Sequence, residues 1–318
     1  MSIEFGVHFS PESISYEDLL GDVLHCEALG YHSVWLSDHL VGMHGDPGNP
    51  RLECWTTVAA LAADTSTIRL GQLVLCNPFR QPSLLAKMGA TLDTISGGRL
   101  ILGLGAGWHE DEFNAYGYPY EGAAVRVRRL DEAAQIIKKM WTEEAPCFEG
   151  RYYRIEEARC SPKPVQSPHP PLMLAGGGEQ LTLRTVARHA DISNFATWMG
   201  SPSDFRHKAE VLSRHCLDAG RDFDEITMSW ANYTLISGDR GSAERSLDRY
   251  IQGMQASYGV AAGDRRPPLC GTPDDVIEQI QTYIDAGVTL FINRFMGEDI
   301  REEAALFAEE VIPSFNQA

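Results

Sequence analysis

The sequence predicts a single (β/α)8 barrel, and three observations predict it. Eight short runs of β-branched and other apolar residues alternate with longer amphipathic stretches. Several of these runs stop abruptly at polar or glycine-rich residues, as strands do at the mouth of a barrel. No shift in composition marks a second domain along the 318 residues. A doubly wound sheet is the alternative, and the eight runs with an extra hairpin favour the barrel. The expected organisation is one domain over 1–318, with insertions at about 108–120, 143–170 and 255–270.

The first strand is read at Glu4–Phe9 and the first helix at 16–29, closed by Gly30. A second strand over 33–39 leads to a helix near 55–64. The third and fourth strands, 69–76 and 100–107, flank a helix from Pro82 to about Ile95. A short helix near 110–116 and a long one over 125–141 follow. Residues 147–156, with Glu149-Gly150 between aromatic runs, read as an inserted hairpin, and the prolines from Pro162 to Pro171 as a stiff connector. The remaining strands are expected at 172–176, 192–197, 226–237 and 289–294, with helices at 179–189, 203–219 and about 302–312. Thr272 and Pro273 read as the N-cap and first position of a helix that ends at Gly287. Residues 255–268 read as a long loop.

Composition narrows the function. With 43% hydrophobic residues the chain can bury a substantial core. Its 27 Lys plus Arg against 44 Asp plus Glu give a net charge of −17, and no basic patch stands out, so nucleic acid is not an expected partner. The N-terminus lacks the basic and apolar regions of a secretory signal, and no stretch approaches the ~20 apolar residues that span a bilayer. Seven scattered cysteines, none in Cys-x-x-Cys spacing, fit reduced thiols in a cytoplasmic protein. Neither His-x-His on the first strand nor His-Glu-x-x-His occurs, so no metal site is expected.

The most informative feature is Ser37-Asp38-His39 at the end of the second apolar run. Histidine titrates near neutral pH and can give or take a proton at a barrel mouth, and the adjacent Asp38 is a candidate to orient it. The plainer readings are a hydrogen-bonded structural histidine and a loop-capping aspartate. The other strand ends carry His8, residues 73–77, Gly103-Leu104-Gly105-Ala106-Gly107-Trp108, Ala175-Gly176-Gly177-Gly178, Asn194, Asn232 and Asn293-Arg294. Gly176-Gly177-Gly178 directly precedes an expected helix, so its N–H groups and the helix dipole suit an anion or phosphate, although a tight turn uses the same residues. In Gly103-x-Gly105-x-Gly107 the third glycine comes one residue too early for a dinucleotide fingerprint. These glycines are expected to let a flat ring lie against the barrel wall. Loops 41–51, 108–119 and 255–268 are expected to wall the pocket, and Trp108, Phe113, Tyr116, Tyr118 and Tyr258 to make it largely apolar.

Several segments together resemble a known family. They are Ser37-Asp38-His39, Leu70-Gly71-Gln72-Leu73-Val74-Leu75, the stretch from Gly103 to Phe113, Gly150-Arg151-Tyr152-Tyr153, Pro171 to Gly178, Ala187-Arg188-His189-Ala190-Asp191 and Gly271-Thr272-Pro273. In this order, along nearly the whole chain, they resemble the luciferase-like monooxygenase superfamily, most of all its coenzyme F420-dependent oxidoreductase branch. The resemblance implies a TIM barrel with a flavin-like tricycle across the C-terminal mouth. It implies a non-proline cis peptide at Leu73-Val74 that bulges behind the ring, the coenzyme phosphate on Gly176, Gly177 and Gly178, and His39 facing the reactive ring. The expected cofactor-binding residues are Leu73, Val74, Asn77, Gly105, Ala106, Gly107, Trp108, Ala175, Gly176, Gly177 and Gly178.

The implied activity is hydride transfer between the deazaflavin C5 and a small organic substrate, with His39 as proton donor or acceptor and Asp38 fixing its orientation. The alternatives are a reduced-FMN monooxygenase using the same site and a non-catalytic flavin-binding barrel. A homodimer is also implied. One departure bears on the substrate. The sugar-phosphate dehydrogenases of that branch carry a glutamate after the fourth-strand glycines, whereas Trp108 stands there in this chain. The nearest carboxylates are Glu110 and Glu112, and no counterpart of the substrate-phosphate site is apparent.

Overall fold

The structure is a computed structural model that describes residues 2–43, 46–195, 198, 200–258 and 267–315, with only the backbone of 254–258. In chain order the elements begin with β1 (Glu4–Phe9), α1 (Tyr16–Ala28), β2 (Ser33–Leu36), α2 (Cys54–Asp64), β3 (Arg69–Gln72), β4 (Leu75–Cys76), α3 (Pro82–Ser96) and β5 (Leu100–Gly105). Then come α4 (Glu110–Ala115), α5 (Ala123–Thr142), the antiparallel hairpin β6 (Phe148–Glu149) and β7 (Arg154–Ile155), β8 (Leu172–Ala175), α6 (Thr182–His189), β9 (Ile192–Asn194) and α7 (Pro202–Ala219). The chain continues with β10 (Thr227–Ile236), α8 (Arg240–Tyr258), β11 (Leu269–Gly271), α9 (Pro273–Ile284), β12 (Leu290–Phe295) and α10 (Ile300–Leu306).

The staves β1, β2, β3, β5, β8, β9, β10 and β12 pair in parallel in chain order, and β12 returns to β1, with Glu4 opposite Leu290, to close the barrel. Short β11 adds to the outer end of β10, pairing Thr234 with Leu269. The staves are apolar on both faces because each face meets a core. Val34, Leu36, Leu100, Leu102, Leu172, Leu174 and Phe291 point outward under the helices. The alternate residues Trp35, Ile101, Met173, Leu290 and Ile292 fill the barrel interior. Helix starts follow local chemistry: Thr272 and Asp275 form a reciprocal capping box with Pro273 in the first turn, and Ser201 with Asp204 form another.

The structure corrects several boundaries. The expected third strand, 69–76, is broken between Gln72 and Leu75, where the Leu73–Val74 peptide is cis. The second strand ends at Leu36, so Asp38 and His39 lie in the loop beyond it. The sixth stave ends at Asn194, short of the expected 197, and residues 196, 197 and 199 lie outside the described ones. α6 starts at Thr182 and not at 179, because residues 179–181 form a turn across which the Leu183 N–H reaches back five residues, and not the helical four, to the Gly178 carbonyl. α8 was not expected, although Ala243, Leu247, Tyr250 and Ile251 recur at helical spacing; they are half-buried, and no residue over 240–253 is fully buried. Of the expected loop over 255–268, residues 255–258 finish α8, and 259–266 lie outside the described residues.

Candidate active site

The C-terminal ends of the staves surround a cavity of about 550 Å³, a size that suits a ring system and a small second molecule. Its bed is the bulge between β3 and β4: Leu73, Val74 and Leu75 line it, with Gly105 and Ala175 beside them. The β5 glycines exist for this bulge. A Cβ on Gly103 would sit 1.9 Å from the Gln72 carbonyl oxygen, and one on Gly105 would sit 2.7 Å from Val74 Cγ2. The expectation that these glycines make room for a ring is therefore refined. They admit the bulge, and the bulge presents an apolar surface to the cavity.

His39 lies at the edge of this bed, its side chain 19% exposed. Its Nδ1 is 2.8 Å from Oε2 of Glu112, a carboxylate buried to 2% exposure. The other Glu112 oxygen accepts the N–H of Leu40 at 2.6 Å and of Val41 at 3.4 Å. Burial pushes the Glu112 carboxyl up, but the His39 hydrogen bond and charge together with these N–H donors outweigh it and leave it below its ordinary value. Arg51 grips the same loop: Nε donates to the His39 carbonyl at 3.1 Å, Nη2 to Ser37 Oγ at 2.6 Å, and Nη1 pairs with Glu12 at 3.0 Å. The imidazole is thus held at its side chain and at its backbone. Its Nε2, which makes no hydrogen bond among the described residues, remains for a bound molecule.

Asp38 does not orient His39, which corrects the expected pair. Its two oxygens take Arg80 Nη1 at 2.7 Å and Nη2 at 2.8 Å, and Oδ2 also accepts the Cys76 N–H at 2.8 Å. The Asp38 side chain is fully buried, and a carboxylate out of water needs such a permanent, forked cation. Arg80 also reaches Glu53 at 2.5 Å, and these two acids overcome the effect of burial to hold its guanidinium above the ordinary value. Asp38 thereby ties the His39 loop to the start of α3. Sequence reasoning missed Arg51 and Arg80, which no motif marks. Glu112 was noted only as a nearby carboxylate.

The other expected cofactor residues divide. Leu73, Val74, Gly105, Gly107, Trp108 and Ala175 line the cavity. Asn77 does not: it is 1% exposed behind the bed, donating to the Tyr153 hydroxyl at 3.3 Å. Ala106 turns away to pack on the outer core. Gly176, Gly177 and Gly178 lie beyond the cavity wall, next to the turn that opens α6. There the Gly176 N–H bonds to the Asn194 carbonyl at 2.8 Å, while the N–H groups of Gly177 and Gly178 make no hydrogen bond among the described residues. Among the described residues, only Trp108 of the expected wall aromatics faces the cavity, its ring 5.9 Å from that of His39. Phe113 and Tyr118 pack with Phe79 below the rim, and Tyr116 donates to the Leu40 carbonyl. The Tyr258 side chain lies outside the described residues. Trp198 and Tyr233, stacked at 5.2 Å, form the opposite wall instead.

The fold and this mouth define a (β/α)8-barrel enzyme. Residues 1–290 match the luciferase-like monooxygenase family, and the chain belongs to it. Over 337 residues it is 27% identical to an F420-dependent glucose-6-phosphate dehydrogenase of Amycolatopsis mediterranei strain U-32, covering 98% of each chain. Among solved structures it is similar to the coenzyme F420-dependent tetrahydromethanopterin reductase of Methanopyrus kandleri, with 23% identity, a TM-score of 0.81 and coverage of 99% and 100%. It is also similar to an F420-dependent secondary alcohol dehydrogenase in complex with an F420-acetone adduct, with 20% identity, a TM-score of 0.83 and 98% of each chain covered. No helix among the described residues is long and apolar enough to cross a membrane.

Proposed function

We propose that the protein is a coenzyme F420-dependent oxidoreductase in which His39 exchanges a proton with the substrate. The observation that carries this reading is the His39–Glu112 contact at the edge of the bulged bed. An imidazole anchored through Nδ1 by a buried carboxylate keeps Nε2 available for a proton donor or acceptor role. The choice of coenzyme is supported by the full-length similarity to enzymes that use it. The residues fit such a group: Leu73, Val74, Gly105 and Ala175 offer a flat apolar bed, and the two unengaged N–H groups at Gly177 and Gly178 suit a phosphate.

When bound, the coenzyme supplies the hydride donor or acceptor. The protein does the rest. The bed fixes the ring plane, and Trp108 with Trp198 and Tyr233 shields the space above it from water. His39 gives a proton to, or takes one from, the substrate heteroatom, and Glu112 stabilises the charged imidazole while that happens. Sugar phosphate is not part of this proposal. Trp108, 64% exposed, stands where the resemblance requires a glutamate, and it gives the entrance an apolar wall. We further infer a cytoplasmic homodimer from the same resemblance.

The test is equilibrium binding of oxidised F420 and of FMN to the purified protein, followed by fluorescence. Preferential binding of F420 supports the reading. Preferential binding of FMN, with oxygen consumption by the reduced complex, overturns it in favour of a monooxygenase.

A further inference from the structure

A chain of net charge −17 nevertheless gathers four guanidinium groups around one groove on its outer surface. Arg128 lies on α5, Arg184 and Arg188 on α6, and Arg151 on the turn of the β6–β7 hairpin; the groove between them holds about 310 Å³. Its two carboxylates are already committed. Glu132 accepts the N–H groups of Arg151, Tyr152 and Tyr153 at 2.8, 2.9 and 3.0 Å. Asp131 accepts Gln135 Nε2 at 2.9 Å and lies 3.2 Å from His189 Nε2, with Arg188 further off at 3.7 Å. Arg128 and Arg184 are exposed and make no hydrogen bond or ion pair among the described residues. Four guanidinium groups against two carboxylates leave the groove with a net positive charge, carried toward solvent by Arg128 and Arg184.

Its position gives that charge a purpose. α5 follows β5 and α6 follows the neighbouring β8, so the N-terminal turns of both helices start at the barrel mouth. Leu181, at the head of the groove, is three residues beyond Gly178, within about 11 Å by chain length. A ligand whose phosphate rests on Gly177 and Gly178 thus leaves the mouth beside this groove. The other exit, between α6 and α7, is less suited to an anion. There Glu179 already takes Lys208 at 2.7 Å and His207 at 3.0 Å.

We propose that the α5–α6 groove binds the oligoglutamate tail that coenzyme F420 carries beyond its phosphate, with Arg128, Arg151, Arg184 and Arg188 as the partners of successive carboxylates. This rests on the F420 reading above. It assigns the groove a role in affinity and not in chemistry, because carboxylates paired with exposed arginines gain modest, salt-screened attraction each and add along a chain.

The test is fluorescence binding at low ionic strength with three probes: F420 with a long glutamate tail, F420 with a single glutamate, and the deazaflavin fragment lacking phosphate and tail. The wild-type protein is expected to prefer the long tail by about tenfold over the single glutamate, and added salt is expected to erase the preference. In Arg128→Glu/Arg184→Glu the preference should vanish while affinity for the tail-less fragment stays the same, which also reports an intact fold; the milder Arg184→Gln should lose part of it. A wild-type protein indifferent to tail length, or a variant that keeps the full preference, overturns the assignment while leaving the F420 reading intact. Failure of every deazaflavin probe to bind overturns the F420 reading, and the groove assignment with it.

Discussion

Replacing Glu112 by glutamine removes the charge that anchors His39 and keeps an oxygen for the Leu40 N–H. A charge-assisted hydrogen bond of 2.8 Å contributes about 1.5–3 kcal/mol net, and the 19% exposure of the His39 side chain puts the expected value near the lower end. The pair can be isolated in a double-mutant cycle of Glu112→Gln with His39→Ala, read by urea unfolding, which needs no substrate. The expected coupling is about 1.5 kcal/mol near pH 7. Because the Glu112 carboxyl is held below its ordinary value in the folded protein, its contribution is fully present above the unfolded value of 4.5. It is lost as pH falls through the lowered folded value, so the coupling should shrink as the pH is taken below 4.5. A parallel cycle of Asp38→Asn with His39→Ala should give a coupling near zero, since the Asp38 carboxylate is bound by Arg80 and Cys76. A near-zero Glu112 cycle beside a large Asp38 cycle would refute the assignment of Glu112 as the positioning residue.

Two further predictions follow from the packing and the buried charge. Gly103→Ala would press a methyl group to 1.9 Å from the Gln72 carbonyl oxygen, and since backbone cannot yield cheaply, unfolding should show a loss of more than about 3 kcal/mol. Glu303 on α10 accepts the N–H groups of Ile236 at 2.9 Å and Gly297 at 2.7 Å, yet burial pushes its carboxyl from 4.5 up to about 7. The folded state then holds a proton that the unfolded state releases, so this group lowers stability as pH rises from 4.5 to 7. Glu303→Gln should therefore gain stability relative to wild type between those pH values, by about 2 kcal/mol, in thermal or urea unfolding; a constant difference across the range would contradict the burial argument.

Much of this protein is determined by its sequence alone. The alternation of apolar runs and amphipathic stretches dictates the barrel, because buried parallel staves and the helices over them have different periods. Thr272-Pro273 sets the start of α9 by local capping, and the abrupt end of the second apolar run delivers His39 to the mouth. Features with a local cause, or with a residue type that allows little else, were legible. α8 went unread although Ala243, Leu247, Tyr250 and Ile251 recur at helical spacing; the stripe is only half-buried and is interspersed with charged and small residues, which weakens its contrast.

What the tertiary structure decided is pairing. Adjacency in sequence suggested Asp38 as the partner of His39, whereas the fold brings Glu112 to it from 73 positions away and turns Asp38 to Arg80, 42 away. Neighbouring residues at a loop project differently, so spacing could not choose between the two acids. The arginine groove has the same origin. Arg128, Arg151 and Arg184 lie in three separate segments of the chain, and only the packing of α5 against α6 and the hairpin gathers their charge into one place.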